Sequence, residues 1–356
     1  MAELPVPEGP SKFEHRLSAS YFHGGDPDVS VVVPTHARAG LWHELIAALE
    51  AQSFGPGRFE VVVVDDYSED ETWATLEKAS ELASLRLLCV RLPSNVGAGS
   101  ARTVGLAHCR APIVAFTDDD CLPSSEWLEH LCAPLLEGGP GGAPPVVVQG
   151  RTVPPPQDEA AGGPWIRSLW VERATWLFET CNIAYPKAEL VAVGGFPSRD
   201  ETPPSPSGRQ VGEDALAGLR VMESGARLIF EPRALVYHRV SPSNFASWVW
   251  DERGRAVFPA LVARSRLARR AMWGRWFLTP RSAATALAVA SLSAWAVWGR
   301  KTFGLGLVPW VILAYPAARV LPGRPLLWRL AQIGVADLVG LSATTWASLR
   351  HRALVL

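Results

Sequence analysis

The sequence predicts an α/β fold, a Rossmann-like, mostly parallel central sheet flanked by helices, followed by a C-terminal hydrophobic helical region. Three observations predict it. From Val29 to about Leu135, continuous apolar runs alternate with helix-spaced segments, the pattern of a parallel sheet covered on both faces. Each of those runs ends in polar residues. After about Ser247 the texture changes to arginines, tryptophans and long uncharged stretches.

In chain order, residues 1–28 carry Glu, Pro and Gly without a signal-peptide apolar core, and are expected to form a flexible tail. Residues 29–33 read as a strand ended by Pro34. Leu41, Leu45, Ala48 and Leu49 set a helix over 41–52. Residues 60–64 read as a second strand, 72–83 as a helix, 85–92 as a third strand and 113–116 as a fourth. Glycines and prolines at 138–145 and 154–156 mark an irregular region around a strand at 146–148. Residues 197–212, rich in Pro and Ser, are expected to be mobile and placed as a lid.

The formal net charge is −1, which gives no argument for nucleic-acid binding. The five cysteines form no C-x-x-C pair and read as buried thiols of a reducing compartment. Arg253, Arg255, Arg264, Arg266, Arg269, Arg270 and Arg275 make residues 246–281 a basic juxtamembrane stretch, followed by hydrophobic, membrane-associated helices over 282–356. Residues 282–298 are uncharged, and as a helix would span roughly 26 Å against a hydrocarbon core of about 30 Å. Residues 303–318 and 338–349 are further uncharged runs. Tryptophans 276, 295, 298, 310, 328 and 346 suit an interfacial belt. Asp337 and Arg329 point to an interfacial helix rather than a third span. The basic stretch would keep the N-terminal domain at the cytoplasmic face of the membrane. The competing reading is a helical packing or dimerisation domain.

Ligands of open α/β sheets bind beyond the carboxyl ends of the strands. Here the strand ends deliver Pro34, Thr35, His36 and Arg38, then Asp65, Asp66 and Ser68, then Asn95 and Gly97, then Asp118, Asp119 and Asp120. Three adjacent carboxylates need a cation or strong donors, so the triplet is a candidate Mg²⁺ or Mn²⁺ site. Alone it would read as a solvated turn before a helix. Four polar strand ends in register argue one pocket instead. The turn 95–102 offers backbone donors to a phosphate, with Arg102 adding charge. It matches neither G-x-G-x-x-G nor a Walker loop.

The set 31–35, Asp65-Asp66-x-Ser68, Asn95-x-Gly97 with Ala101-Arg102, and Asp118-x-Asp120 resembles the family 2 glycosyltransferases of the GT-A fold. Asn182, Gly194-Gly195-Phe196 and Gly212-Glu213-Asp214 resemble that family's acceptor-side pattern. The resemblance implies a catalytic domain over 29–245, with a nucleotide-binding half (29–135) and an acceptor half (136–245). It implies an inverting, metal-dependent transfer from a UDP-, GDP- or dTDP-sugar to an acceptor hydroxyl; a carbohydrate or lipid-linked acceptor follows from the membrane reading. By the same resemblance Asp120 holds the metal, Asp118 faces the ribose, and Asp66 bonds the base. Thr35 lines that pocket, Arg102 sits near the nucleotide, and Pro34, Arg38, Asn95, Gly97 and Asp119 complete the nucleotide-sugar set, Asp119 without a direct role of its own. Asp214 is the general base and Glu213 orients the site. His238 joins Asp120 as a metal candidate, its alternative being a structural histidine. Trp165, Trp170 and Trp176 read as core residues before sugar platforms.

The chain departs from the pattern at Thr103, where the family has Asn, and at Pro197, where an acidic residue is common. Met272-Trp273-Gly274-Arg275-Trp276 is only an echo of the Q-x-x-R-W of processive synthases, which favours a single-transfer enzyme. Competing functions are a sugar-nucleotidyltransferase, whose Gly-rich basic loop is lacking at 34–38, and an inactive GT-A-like membrane scaffold.

Overall fold

A computed structural model of the chain describes residues 4, 13–23, 25–137, 144–161, 166–202, 210–321 and 325–356. The expectations about Trp165, residues 138–143, residues 203–209 and most of the first 12 residues lie outside that set. The chain divides into two units: Met1–Glu159 with Ser168–Glu201 and Glu213–Val240, and Ala160–Arg167 with Thr202–Gly212 and Ser241–Leu356.

The strands, in chain order, are β1 (Glu14–Leu17), β2 (Val29–Thr35), β3 (Phe59–Asp65), β4 (Leu87–Arg91), β5 (Ile113–Phe116), β6 (Cys121–Pro123), β7 (Val146–Val153), β8 (Ile166–Arg167), β9 (Ile183–Pro186), β10 (Arg227–His238) and β11 (Ser241–Pro242). The first unit holds the sheet β1-β4-β3-β2-β5-β9-β7-β10-β6. Strands β4, β3, β2 and β5 run parallel, while β9 is antiparallel to both β5 and β7. Every residue of β2 and β3 is buried, which explains why continuous valine runs rather than alternation encode them. Their helices are α1 (Trp42–Glu50), α2 (Thr72–Leu82), α3 (Ala98–His108), α4 (Trp127–Glu137), α5 (Pro156–Ala161), α6 (Lys187–Ala192) and α7 (Glu213–Glu223). Trp42, Leu45 and Leu49 of α1 and Trp127 and Leu128 of α4 are fully buried in the core with Val31, Val33, Val61 and Val63. Each such side chain contributes about 1.5–3 kcal/mol by leaving water.

Residues 14–17, expected in the flexible tail, form β1 and pair antiparallel with β4. All four side chains are exposed, so no apolar pattern announces the strand. Backbone pairing holds it instead. Ser18 donates its hydroxyl to the Leu85 carbonyl (2.6 Å) and accepts from the Leu87 N–H (3.0 Å). All five cysteines are buried free thiols. Trp170, expected in the core, is 47% exposed.

The second unit is helical apart from the β8–β11 pair. It comprises α8 (Phe245–Asp251), the 3₁₀ segment Glu252–Ala256, α9 (Val257–Arg264), α10 (Arg266–Ala271), α11 (Pro280–Trp298), the 3₁₀ segment Lys301–Leu307, α12 (Val308–Val320) and α13 (Leu326–His351). Thr279 and Ser282 form a capping box at the start of α11, with Pro280 at the first helical position and Gly299 closing the end. Among the described residues, two segments have the length and composition of a membrane span: Lys301–Val320 and Leu326–His351. The run 282–298, expected to be the first candidate, is not one of them: the uncharged stretch is 17 residues long and its helix opens on Pro280 and Arg281. The short run 338–349 belongs to the single 26-residue helix α13. That helix accommodates Asp337 by burying it: the carboxylate accepts from Arg281 Nε (3.2 Å) and Trp310 Nε1 (3.0 Å).

Candidate active site

Register places the site. Thr35 lies opposite Asp65 at the ends of β2 and β3, and Phe116 lies opposite Val32, so residues 118–120 emerge just beyond β5. Ala37 (φ 55°) and Tyr67 (φ 61°), in the loops after β2 and β3, hold left-handed conformations unusual for side-chain-bearing residues. Asp65 accepts from both the backbone N–H and the hydroxyl of Ser68, which fixes the second loop. His36 Nδ1 lies 3.0 Å from the Asp66 carbonyl.

The turn at 95–97 is held from below. Asp66 accepts the N–H groups of Val96 (2.7 Å) and Gly97 (2.8 Å). Gly97 stands at φ 94°, a conformation that a Cβ would strain. The backbone donors expected to meet a phosphate therefore bind Asp66 instead. Burial raises the Asp66 pKa, and these two donors oppose the rise. Asn95 accepts a short hydrogen bond from Arg199.

The triplet divides by position. Asp119 turns inward and accepts from the Thr35 hydroxyl (2.6 Å). Burial pushes its carboxyl up to about 7, with Thr35 opposing and Asp120 adding repulsion. Arg38 spans Asp119 and Asp120, 3.8 Å from each. Asp118 turns toward α3, where Arg102 Nη2 donates to it at 2.8 Å. Arg102 is buried, and its Nη1 also reaches Glu213 Oε1 and Asp214 Oδ1, each at 3.2 Å. Burial alone would lower the guanidinium pKa; the three carboxylates, Asp214 first, outweigh it and raise it. The sequence placed Arg102 near a nucleotide. The structure makes it the junction between Asp118 and the Glu213-Asp214 pair.

Asp214 opens α7, where acidic side chains favour the positive helix end. Its Oδ2 accepts from the Thr180 N–H (3.1 Å) and hydroxyl (2.9 Å). One guanidinium cannot neutralise three carboxylates. Burial, with Arg102 opposing and Glu213 and Asp118 repelling, carries the Asp214 pKa up to about 7. Glu213 Oε2 is buried with no hydrogen-bond partner among the described residues.

His238 ends β10 beside Asp120. A carbonyl oxygen only accepts, so the 2.9 Å contact of His238 Nδ1 with the Arg239 carbonyl puts the proton on Nδ1. The Nε2 lone pair then faces Asp120 Oδ1 at 3.5 Å. Two lone pairs so placed need a second proton or a cation between them. Asp120, Cys121 and His238 form a cluster of metal-ligand type. A hard divalent cation prefers oxygen and imidazole donors to the soft sulfur of the buried Cys121, which leaves Asp120 and His238 as the fitting donors. With one oxygen and one nitrogen they could hold a divalent cation that takes its other ligands from diphosphate and water.

Thr180 had no signal in the sequence reading, and Thr103 and Asn182 play parts that reading did not assign. Thr180 fixes Asp214. Thr103, the departure from the family pattern, bonds both the N–H (2.9 Å) and the carbonyl (3.2 Å) of Phe196. The Phe196 ring in turn lies 5.9 Å from the Arg102 guanidinium. Asn182, grouped with the acceptor side, is a core tie: it accepts from Trp127 Nε1 and donates to the Arg151 and Ala234 carbonyls, each at 2.8 Å.

Comparison with known proteins agrees with this geometry. The family model "Glycosyl transferase family 2" matches residues 30–188, spanning the strands that carry the acidic triplet. A pre-mycofactocin glycosyltransferase of Mycobacterium tuberculosis is 32% identical over 253 residues, covering 67% of this chain and 46% of that protein. A validoxylamine A glucosyltransferase of Streptomyces hygroscopicus is 29% identical over 205 residues, covering 48% and 44%. The chain thus spans about half the length of the curated relatives it matches. Among solved structures, the Pyrobaculum calidifontis mannosyltransferase PcManGT in complex with GDP-Man and Mn²⁺ aligns with TM-score 0.60 at 21% identity, covering 96% of this chain and 90% of that one. Staphylococcus aureus TarS 1–349 with UDP-GlcNAc aligns at 0.52 and 18%, covering 92% of each. These likenesses show the GT-A fold. With the ordered motifs and the matched strands, the chain belongs to glycosyl transferase family 2.

Proposed function

We propose that the chain is an inverting glycosyltransferase. It moves a sugar from a nucleoside-diphosphate sugar to an acceptor hydroxyl, in cell-envelope, polysaccharide or glycolipid synthesis. One observation carries the reading: a single buried guanidinium, Arg102, joins donor-side Asp118 to Asp214. The donor pocket comprises Pro34, Thr35, Arg38, Asp66, Asn95, Gly97, Asp118 and Asp119. The nucleotide sugars bound by PcManGT and TarS support a UDP-, GDP- or dTDP-linked donor.

Asp214, with a pKa of about 7, suits a general base at neutral pH. It accepts the acceptor's hydroxyl proton as that oxygen attacks the anomeric carbon opposite the departing diphosphate. Direct attack needs no covalent nucleophile and inverts the centre. Glu213, bonded to the same guanidinium, orients the site. Asp120 and His238 would hold Mg²⁺ or Mn²⁺, which when bound neutralises charge on the diphosphate. The segments Lys301–Val320 and Leu326–His351 support membrane association, and with it a lipid-linked or carbohydrate acceptor; the arginines between 253 and 275 support the cytoplasmic face.

Asp214→Asn should abolish transfer while leaving donor affinity, read by calorimetry, unchanged. A full-length protein that neither hydrolyses nor transfers any of a panel of UDP-, GDP- and dTDP-sugars, with Mn²⁺ present, would end the proposal.

A further inference from the structure

The formal charge of −1 conceals a polarised chain. Residues 253–356 hold 15 of the 34 Lys and Arg but one of the 35 Asp and Glu. That one acid, Asp337, is buried and already bonded to Arg281 and Trp310. This stretch of the chain therefore seeks an anionic partner.

Charge alone would suit any polyanion. A second observation selects among them. Of the 31 exposed large hydrophobic side chains among the described residues, 24 lie between Trp250 and Leu354. The segments Lys301–Val320 and Leu326–His351 have mean hydropathies of 1.4 and 1.3, yet only 11% and 28% of their apolar windows are buried. A soluble core helix would bury most of that surface. A nucleic acid or acidic protein would match the arginines and leave these side chains in water. A bilayer with anionic headgroups satisfies both.

The arginines also sit where such a partner requires them. Arg253 stacks on Trp250 (3.9 Å), Arg269 on Trp276 (5.2 Å) and Arg350 on Trp346 (5.5 Å). Such pairs hold guanidinium groups at the level of interfacial rings. Arg264, Arg266, Arg270 and Arg275 are exposed and make no ion pair among the described residues.

We infer that this unit is an anionic-lipid recognition surface, in which these four arginines engage headgroup phosphates while α12 and α13 offer apolar faces to the hydrocarbon. The inference rests on the membrane reading above and adds a headgroup preference to it. Each basic residue near an anionic surface strengthens partitioning roughly fivefold, within a screening length of about 10 Å at 0.1 M salt.

The test is flotation of the full chain, made by cell-free synthesis with phosphatidylcholine vesicles containing or lacking phosphatidylglycerol. The expected result is at least a roughly tenfold preference for the anionic vesicles, declining as salt rises. Replacing Arg264, Arg266, Arg270 and Arg275 by Gln should remove the preference, and replacing them by Lys should keep it. Equal flotation with both vesicles, no flotation with either, or a preference retained by the Gln variant would each overturn the inference. Donor binding measured on the same samples separates the two proposals. A chain that binds donor without lipid preference refutes only the lipid surface; one that prefers anionic lipid but binds no nucleotide sugar refutes only the transferase.

Discussion

At the scale of the residue, Arg102 and Asp214 decide what the site can do. Arg102 is buried against three carboxylates, so Arg102→Met strands them without a cation and should cost about 3–5 kcal/mol in urea denaturation. Arg102→Lys keeps the charge but cannot span both sides, and should cost less stability while still lowering kcat. Asp214 gives a pH signature of its own. Its folded-state pKa of about 7 stands above the ordinary aspartate value of 3.8, so between those values the folded chain binds the extra proton. Stability therefore falls as pH rises through that window and levels off above about 7. Melts across the window should show a shallower decline for Asp214→Asn than for the parent chain. Transfer runs the other way, because a base must be ionised: kcat/KM should climb with pH through about 7, and a flat profile would remove Asp214 from that role.

At the scale of the element, α7 and the segment before β9 form one device. Gly218 faces the Phe178 ring so closely that an added Cβ would stand 2.1 Å from its Cγ. Phe178 itself holds φ 51°, and two residues later Thr180 grips Asp214. Gly218→Ala should overpack this contact, lower stability by about 1–3 kcal/mol in denaturant titration, and reduce kcat through the displaced Thr180 while leaving donor affinity in place. None of this was legible in the sequence. What was legible follows from burial: β2, β3 and β5 declare themselves because every position is buried and most are apolar, and the acidic triplet because three carboxylates at a strand end are costly. β1 was missed because its four side chains face water and only its backbone pairs. Thr180 and Thr103 were missed because a single hydroxyl acting on a distant residue leaves no local pattern. Asp66 was found for its place, yet both of its oxygens turn out to serve the 95–97 turn.

At the scale of the whole molecule, the division of the chain fixes where it can be cut. The composition change suggests a boundary at about residues 245–247. The contacts put it earlier, after Val240, since Ser241–Leu356 belongs to the second unit. Within that unit α13 packs on α9 and on the 3₁₀ segment Glu252–Ala256, and a Cβ on Gly340 would stand 2.9 Å from Arg255 Cδ. A chain ending near Arg270 would expose α9 by removing the helix that covers it, and should aggregate. A chain ending at Val240 keeps Asp118, Asp120, Arg102, Asp214 and His238 together, because all of them lie in the first unit. It sheds 24 of the 31 exposed large hydrophobic side chains among the described residues and most of the unpaired arginines. Residues 1–240 should therefore stay in solution without detergent, elute as a single species and bind nucleotide sugar with the affinity of the full chain. Loss of donor binding in a folded, monodisperse 1–240 protein would show that the second unit completes the donor site.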